Sequence, residues 1–164
     1  MQIFVLDRDP VRSAQMLCDR HVVKQAVESA QILATALWMN GVPAPYKPAY
    51  RHHPCTQWAS RTRPNWEWLK THGLALCEEF TARYGKRHAS QNPIEEMDGA
   101  GIPDGLLEEF AQAMPDQYKV PGDAVAAYQA YYAGEKCVFA DGKPATWRLR
   151  EIPEFLRDRI RAVG

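Results

Sequence analysis

One stretch dominates what this chain can become. Between Asp9-Pro10 and Asn40-Gly41 the residues keep a helical period almost without interruption. Asp before Pro gives an N-cap followed by a residue whose fixed φ suits the first turn and whose missing N–H costs nothing there. Asn-Gly at the far end suits the turn that closes a helix. At ~100° per residue, Val22, Val23, Ala26, Val27, Ala30, Leu33, Ala34 and Leu37 fall on one arc, the face a core would claim. The opposite arc carries His21, Lys24, Gln25, Glu28 and Gln31, interleaved with Leu17, Ile32 and Thr35. A solvated helix face is richer in Glu and Lys and poorer in aliphatics. One carboxylate, one imidazole and one ammonium set among aliphatics suit a partly buried cleft, where pKa values shift and acid–base groups become useful. An ordinary solvated or interfacial face is the alternative on spacing alone.

The remaining pattern predicts a mainly α fold, with residues 1–164 as a single domain long enough to bury a core. Residues 2–6 form an apolar run, read as a strand or an extended segment tucked into that core. His53-Pro54 opens a short helix through Trp58. Pro64 opens a longer one to about Tyr84, stopped by Gly85, with Trp66, Leu69, Leu76 and Phe80 on its core face. Residues 91–123 break the periodicity with Pro93, Pro103, Pro115, Pro121 and four glycines. They read as a loop or lid insertion holding one short helix from Gly105 to Met114. In the C-terminal segment, 124–164, Asp123 caps a helix that Gly134 ends, Asp141-Gly142 suits a hairpin turn, and Pro153 opens a last helix through Arg161.

The net charge of zero hides an asymmetry. Residues 1–90 hold 12 Lys and Arg against 7 Asp and Glu, whereas residues 91–123 hold 1 against 8. A mildly basic body therefore carries an acidic insert, which should cover part of that body; its deletion is expected to alter substrate access and leave the fold intact. Such a body can meet a polyanion, less tightly than a strongly basic binder would. No apolar run is long enough to cross a membrane. The start lacks the basic leader of a signal peptide, so the cytoplasm is the expected location. Cys18, Cys55, Cys77 and Cys137 form no C-x-x-C pair and read as reduced thiols. Neither a metal nor a cofactor is expected, and the oligomeric state is left open.

Two further constellations could do chemistry. In Tyr50-Arg51-His52-His53-Pro54-Cys55-Thr56-Gln57-Trp58 the H-H-x-C spacing does not fit the common zinc patterns. A histidine hydrogen-bonding across the core to the first helix is the preferred role, near Glu28 or His21. Arg51, His52, His53 and Trp58 are candidate substrate contacts. The other group is aromatic and basic: Tyr128, Tyr131, Tyr132 and Lys136, then Trp147, Arg148 and Arg150. Rings beside cations can stack bases and neutralise phosphates, and the same pattern also serves as core plus rim.

The residues Cys18-Asp19-Arg20-His21-Val22-Val23-Lys24-Gln25-Ala26-Val27-Glu28-Ser29-Ala30-Gln31-Ile32 resemble the catalytic helix of the phage pyrimidine-dimer DNA glycosylases of endonuclease V type. The likeness is an Asp-x-His followed by Glu seven residues after the histidine. His53-Pro54 with Trp58, and Leu74 to Gly85, resemble the second and third helical segments of that family and its bacterial relatives. The resemblance spans roughly residues 1–90. It implies a compact helical fold and a bifunctional reaction on duplex DNA: an amine attacks the sugar C1′, the base leaves, a Schiff base forms, and a glutamate assists the elimination that nicks the strand. Glu28 matches the family's carboxylate and His21 a histidine beside it. Where the phage helix presents arginines, this one has Val27 and Gln31. Gln2 is too large for methionine removal, so the Met1 amine is the expected nucleophile, with Lys24 as a second candidate. An enzyme acting on a modified base or nucleotide, and a non-catalytic nucleic-acid or protein-binding module, are the alternatives.

Overall fold

The computed structural model describes residues 2–164 and is mainly α-helical. Its helices are α1 (Pro10–Met16), α2 (Asp19–Met39), α3 (Pro54–Arg61), α4 (Arg63–Tyr84), α5 (Gln91–Glu96), α6 (Ala124–Tyr131) and α7 (Arg157–Val163). Among the described residues there is no strand, only an antiparallel bridge between Val138 and Pro144. The long helices α2 and α4 pack together, with α1 and α3 against them. Trp66 lies fully buried between α2 and α4, and its indole donates to the Leu33 carbonyl at 3.1 Å. Thr62 caps α4 through the Asn65 N–H, and Gly85 ends it at φ 74°, a conformation that favours glycine.

The extended segment is where the apolar run places it. Ile3, Phe4, Val5 and Leu6 are buried. Their backbone groups find partners without a sheet: Ser13 Oγ accepts from the Leu6 N–H at 3.0 Å and donates to the Phe4 carbonyl at 2.9 Å, and Gln129 donates to the Leu6 carbonyl at 3.0 Å.

The expected single helix from Pro10 to Asn40 is two. Leu17 and Cys18 are extended, with ψ of 142° and 163°. The cause is tertiary. A continuous helix would use the carbonyls of residues 15, 16 and 17 internally, but here the Arg83 guanidinium donates to Gln15 and Leu17 at 3.0 and 2.9 Å, and the Trp147 indole donates to Met16 at 2.8 Å. The freed N–H groups are also satisfied, Cys18 by the Tyr132 hydroxyl at 3.0 Å and Asp19 by the Thr146 carbonyl at 2.9 Å. On α2, Val23 and Val27 stand at the rim of the apolar arc, each 37% exposed.

Residues 91–123 differ most from expectation. No helix forms over 105–114; the helical turns are α5 and a 3₁₀ turn at Asp116–Tyr118. The segment is also more than a covering. Ile94, Met97, Ile102 and Phe110 are buried, and the Phe110 ring sits 5.2 Å from Trp58 and 4.7 Å from Trp68. Asn65 exchanges two hydrogen bonds with Glu108, which fixes the path. Removing the segment would strip the core of these side chains, which argues against the expectation that the fold survives its deletion. Its acidic residues meet arginines of the body: Glu108 with Arg61 at 2.8 Å, Glu109 with Arg8 at 3.3 Å, Asp104 with Arg63 at 3.4 Å and Glu95 with Arg87 at 2.7 Å.

Gly134 does not end α6. The chain widens there into a π-helical turn over Tyr132–Lys136, closed by Cys137 N–H to the Tyr132 carbonyl at 3.0 Å. A Cβ at residue 134 would lie 2.5 Å from the Tyr118 hydroxyl, so only glycine allows this approach. The hairpin turn at Asp141-Gly142 forms, and the last helix starts as a 3₁₀ turn after Pro153.

Candidate active site

The polar arc of α2 opens on a cavity of about 450 Å³. That lies within the ~300–1,000 Å³ range typical of small-ligand pockets. Helix α2 contributes Arg20, His21, Lys24, Gln25 and Glu28; the N-terminal segment adds Gln2 and Phe4; the end of α6, the π turn and the hairpin add Tyr131, Glu135, Lys136 and Phe139. The π turn matters here. Its five-residue spacing sets Tyr131 and Lys136 on one face, with the ammonium 5.2 Å from the ring centroid. Opposite, the Arg20 guanidinium lies 3.6 Å from the Phe139 ring centroid. The cavity thus offers aromatic faces, three cations and the Glu28 and Glu135 carboxylates, a mixture with an excess of positive charge that suits an anion carrying a planar ring.

Glu28 is half-buried and accepts a hydrogen bond from the Gln25 amide. Burial raises the Cys55 thiol above its usual range, with Glu28 among the charges acting on it, so the carboxylate lies near the start of α3.

His21 Nδ1 lies 2.7 Å from the Tyr132 hydroxyl and 3.3 Å from Cys18 Sγ. Tyr132 is fully buried, and burial pushes its phenol well above the ordinary value, so it keeps its proton. That oxygen already accepts from the Cys18 N–H, so its own O–H finds an acceptor in His21 Nδ1. His21 therefore carries its proton on Nε2, on the side left for the cavity. Burial, with Lys136, Lys24 and Arg20 nearby, lowers its pKa to about 4. The imidazole is neutral at neutral pH and acts as an N–H donor.

His72, buried against Trp68 and away from this cavity, is likewise pushed down to about 4 by burial. Both groups sit below the ordinary 6.5. Unfolding then takes up protons that the native state refuses, so stability falls as pH drops through the window from 6.5 toward 4. Urea midpoints measured from pH 7 to 5.5, above most carboxylate titration, should decline steadily; a flat profile would contradict the buried neutral histidines.

Of the residues singled out in the sequence, His21, Lys24, Gln25, Glu28, Tyr131 and Lys136 converge on the cavity. Met1 lies outside the described residues. Tyr132 stands behind His21 without reaching the opening. Gln31 is half-buried on α2, one turn past Glu28, and does not line it. Arg51, His52 and His53 line a separate shallow groove with Pro48, Ala49 and Tyr50. His53 does not bridge to α2; its Nδ1 accepts from the Cys55 N–H at 3.1 Å and so caps its own helix. Trp58 is core, 1% exposed. Trp147 and Arg148 pack at the α1–α2 joint, the latter 4.7 Å over the Tyr84 ring. The helical period did not single out Arg20, and Phe139 and Glu135 had no signal except nearness to Lys136 and the Asp-Gly turn. All four cysteines are free and buried. Among the described residues no cluster could hold a metal ion, and no helix is long and apolar enough to cross a membrane.

The fold and cavity together define a small, mainly α-helical domain with a polar cavity along its long helix. Comparison with protein families identifies the one described as pyrimidine dimer DNA glycosylase over residues 1–92, more than half of the chain, and the chain belongs to that family. Membership supports a DNA glycosylase function in general, a place in DNA repair and DNA as substrate. Comparison with curated proteins and with solved structures finds no match. The matched residues include Glu28, His21 and Lys24, whereas Tyr131, Lys136 and Phe139 come from beyond them.

Proposed function

We propose that the chain is a DNA glycosylase with abasic-site lyase activity, using an amine nucleophile and Glu28. The observation that carries this reading is the shared cavity: Glu28 lines it with Lys24 and with Gln2, the residue following Met1. An amine in this space attacks the sugar C1′, and the base departs with the electrons of the glycosidic bond. The nitrogen lone pair then expels O4′ from C1′, O4′ takes up a proton, and a protonated imine remains. Glu28 then accepts the C2′ proton as the 3′ phosphate is expelled, which nicks the strand. In this reading Arg20, Lys24 and Lys136 meet phosphate oxygens, and His21 Nε2–H donates to an oxygen of the nucleotide.

Between the two amines the choice rests on protonation. An α-amine has an ordinary pKa of about 8 and a lysine about 10.4, so the Met1 amine is far more often free to attack near neutral pH. Borohydride added to the protein with abasic-site DNA should trap a covalent adduct that maps to the N-terminal peptide. An adduct on Lys24, or full trapping with residues added before Met1, would move the nucleophile; no adduct at all would remove the lyase reading. The zero net charge favours a second reading, a related enzyme on a free modified nucleotide. Affinity for duplex DNA that falls steeply with salt supports the first reading over that one.

A further inference from the structure

The loop between α2 and α3 carries an aromatic ring that the fold does not use. Tyr50 has φ of 56°, in the left-handed region that favours glycine. It is 67% exposed, and among the described residues its ring makes no aromatic or cationic contact. Leu149, at φ 63°, is also strained, but its neighbours repay it: the Arg148 N–H donates to Asp19 and the Arg150 guanidinium pairs with Glu79. The bonds of the Ala49 N–H to Thr35 Oγ1 and of the His53 N–H to the Tyr50 carbonyl hold the Tyr50 turn likewise, but neither uses the ring. A glycine would make the same turn without strain, so what the tyrosine adds is a ring held out from the surface.

The loop that presents it is fixed. The Trp38 indole donates to the Tyr46 carbonyl at 2.8 Å, the Ala49 N–H to Thr35 Oγ1 at 3.1 Å, and the His53 N–H to the Tyr50 carbonyl at 3.1 Å. Thr35 stands two turns beyond Glu28 on the same polar arc, about 10 Å along the helix axis. Lys47, Arg51 and His52 around the ring are exposed. An exposed ring flanked by further cations therefore stands about two helical turns from Glu28 along α2, and the charge beside it complements a phosphate backbone.

We propose that Tyr50 is a stacking wedge: its ring enters the duplex beside the position vacated by the nucleotide drawn toward Glu28, while Lys47 and Arg51 meet the flanking phosphates. The proposal rests on the glycosylase reading of the cavity. Taking a nucleotide out of the stack exposes the faces of its neighbours, and an aromatic ring replaces the lost stacking whatever the base. Left-handed backbone at the tip aims the ring outward and costs nothing further when DNA binds, because the loop is already formed.

The test uses the full chain, a duplex containing a tetrahydrofuran abasic analogue beside 2-aminopurine, and the variants Tyr50→Ala, Tyr50→Gly, Tyr50→Phe and Tyr50→Trp. Alanine and glycine should weaken binding to the abasic duplex on the order of tenfold and change the 2-aminopurine fluorescence of the complex, whereas Phe and Trp stay within about twofold of wild type. Tyr50→Gly should melt no lower than wild type, because the turn suits glycine; a binding loss in that variant is then a loss of the ring and not of the fold. Wild-type binding and fluorescence in the Ala and Gly variants would overturn the wedge. A protein that forms borohydride adducts while all four variants bind alike leaves the glycosylase reading standing and the wedge rejected. A wild type with neither adduct nor abasic-duplex affinity rejects both.

Discussion

Glu28→Gln should lower strand nicking at an abasic site by ~10²–10⁴-fold in single-turnover reactions, the range a positioned acid–base group contributes. The substitution keeps the size of the side chain and an amide oxygen for the Gln25 hydrogen bond, so the cavity wall should hold its shape. What disappears is a group that can take a proton from carbon. Affinity for abasic duplex should stay level or rise, since a carboxylate facing phosphates is lost. That split separates chemistry from binding. If Glu28 served only to shape an interface, the variant would nick at nearly the wild-type rate, and turnover within a few-fold of it would end the catalytic assignment. Borohydride trapping adds a second readout. An amine can still reach C1′ in the variant, so adducts should build up slowly while the subsequent nick is delayed.

The parts of this molecule legible in the sequence are those written in local chemistry. Asp9-Pro10, Pro64, Gly85 and Asp123 mark helix ends because caps and first turns use neighbouring residues. The polar arc of α2 was legible for the same reason: periodicity alone brings His21, Lys24, Gln25 and Glu28 to one side. The break at Leu17-Cys18 was not. It is produced by Arg83, Tyr132, Thr146 and Trp147, which lie far along the chain and leave no mark on residues 15–19. The far wall of the cavity was half legible. Tyr131 and Lys136 stood out as aromatic and basic, but a regular helix with a stop at Gly134 would have turned them apart; the π turn that aligns them brings Gly134 against Tyr118, too close for any side chain. The expected helix over 105–114 shows the opposite failure. Its residues have helical tendency, yet Asn65 and the Trp58–Trp68 pair hold the backbone out of a helix, and tertiary packing overrides propensity.

The same long-range grip predicts the largest stability loss. Arg83 has a fully buried side chain that pairs with Asp19 at 3.1 Å and Glu79 at 3.0 Å, while its remaining N–H groups hold the carbonyls of Gln15 and Leu17. Arg83→Met keeps most of the stem but leaves a buried Asp19 carboxylate without its ion pair and two carbonyls without donors. Removing one partner of a buried pair typically costs ~3–5 kcal/mol, because the stranded charge keeps its desolvation penalty. Glu79 suffers less, since Arg150 also reaches it from the partly exposed side. Asp19 is held by the Thr146 hydroxyl at 2.7 Å and the Arg148 N–H at 2.9 Å, which soften the loss without replacing the cation. The urea midpoint of Arg83→Met should therefore fall sharply with an unchanged m-value. The damage should also reach the cavity, because the Arg83 contacts hold open the joint from which Cys18 and His21 meet Tyr132. Arg83→Lys, which keeps the charge but lacks the planar fork, should recover only part of the loss. If Arg83→Met unfolds at the wild-type midpoint, the buried network does not stabilise the joint, and the two-helix break must have another cause.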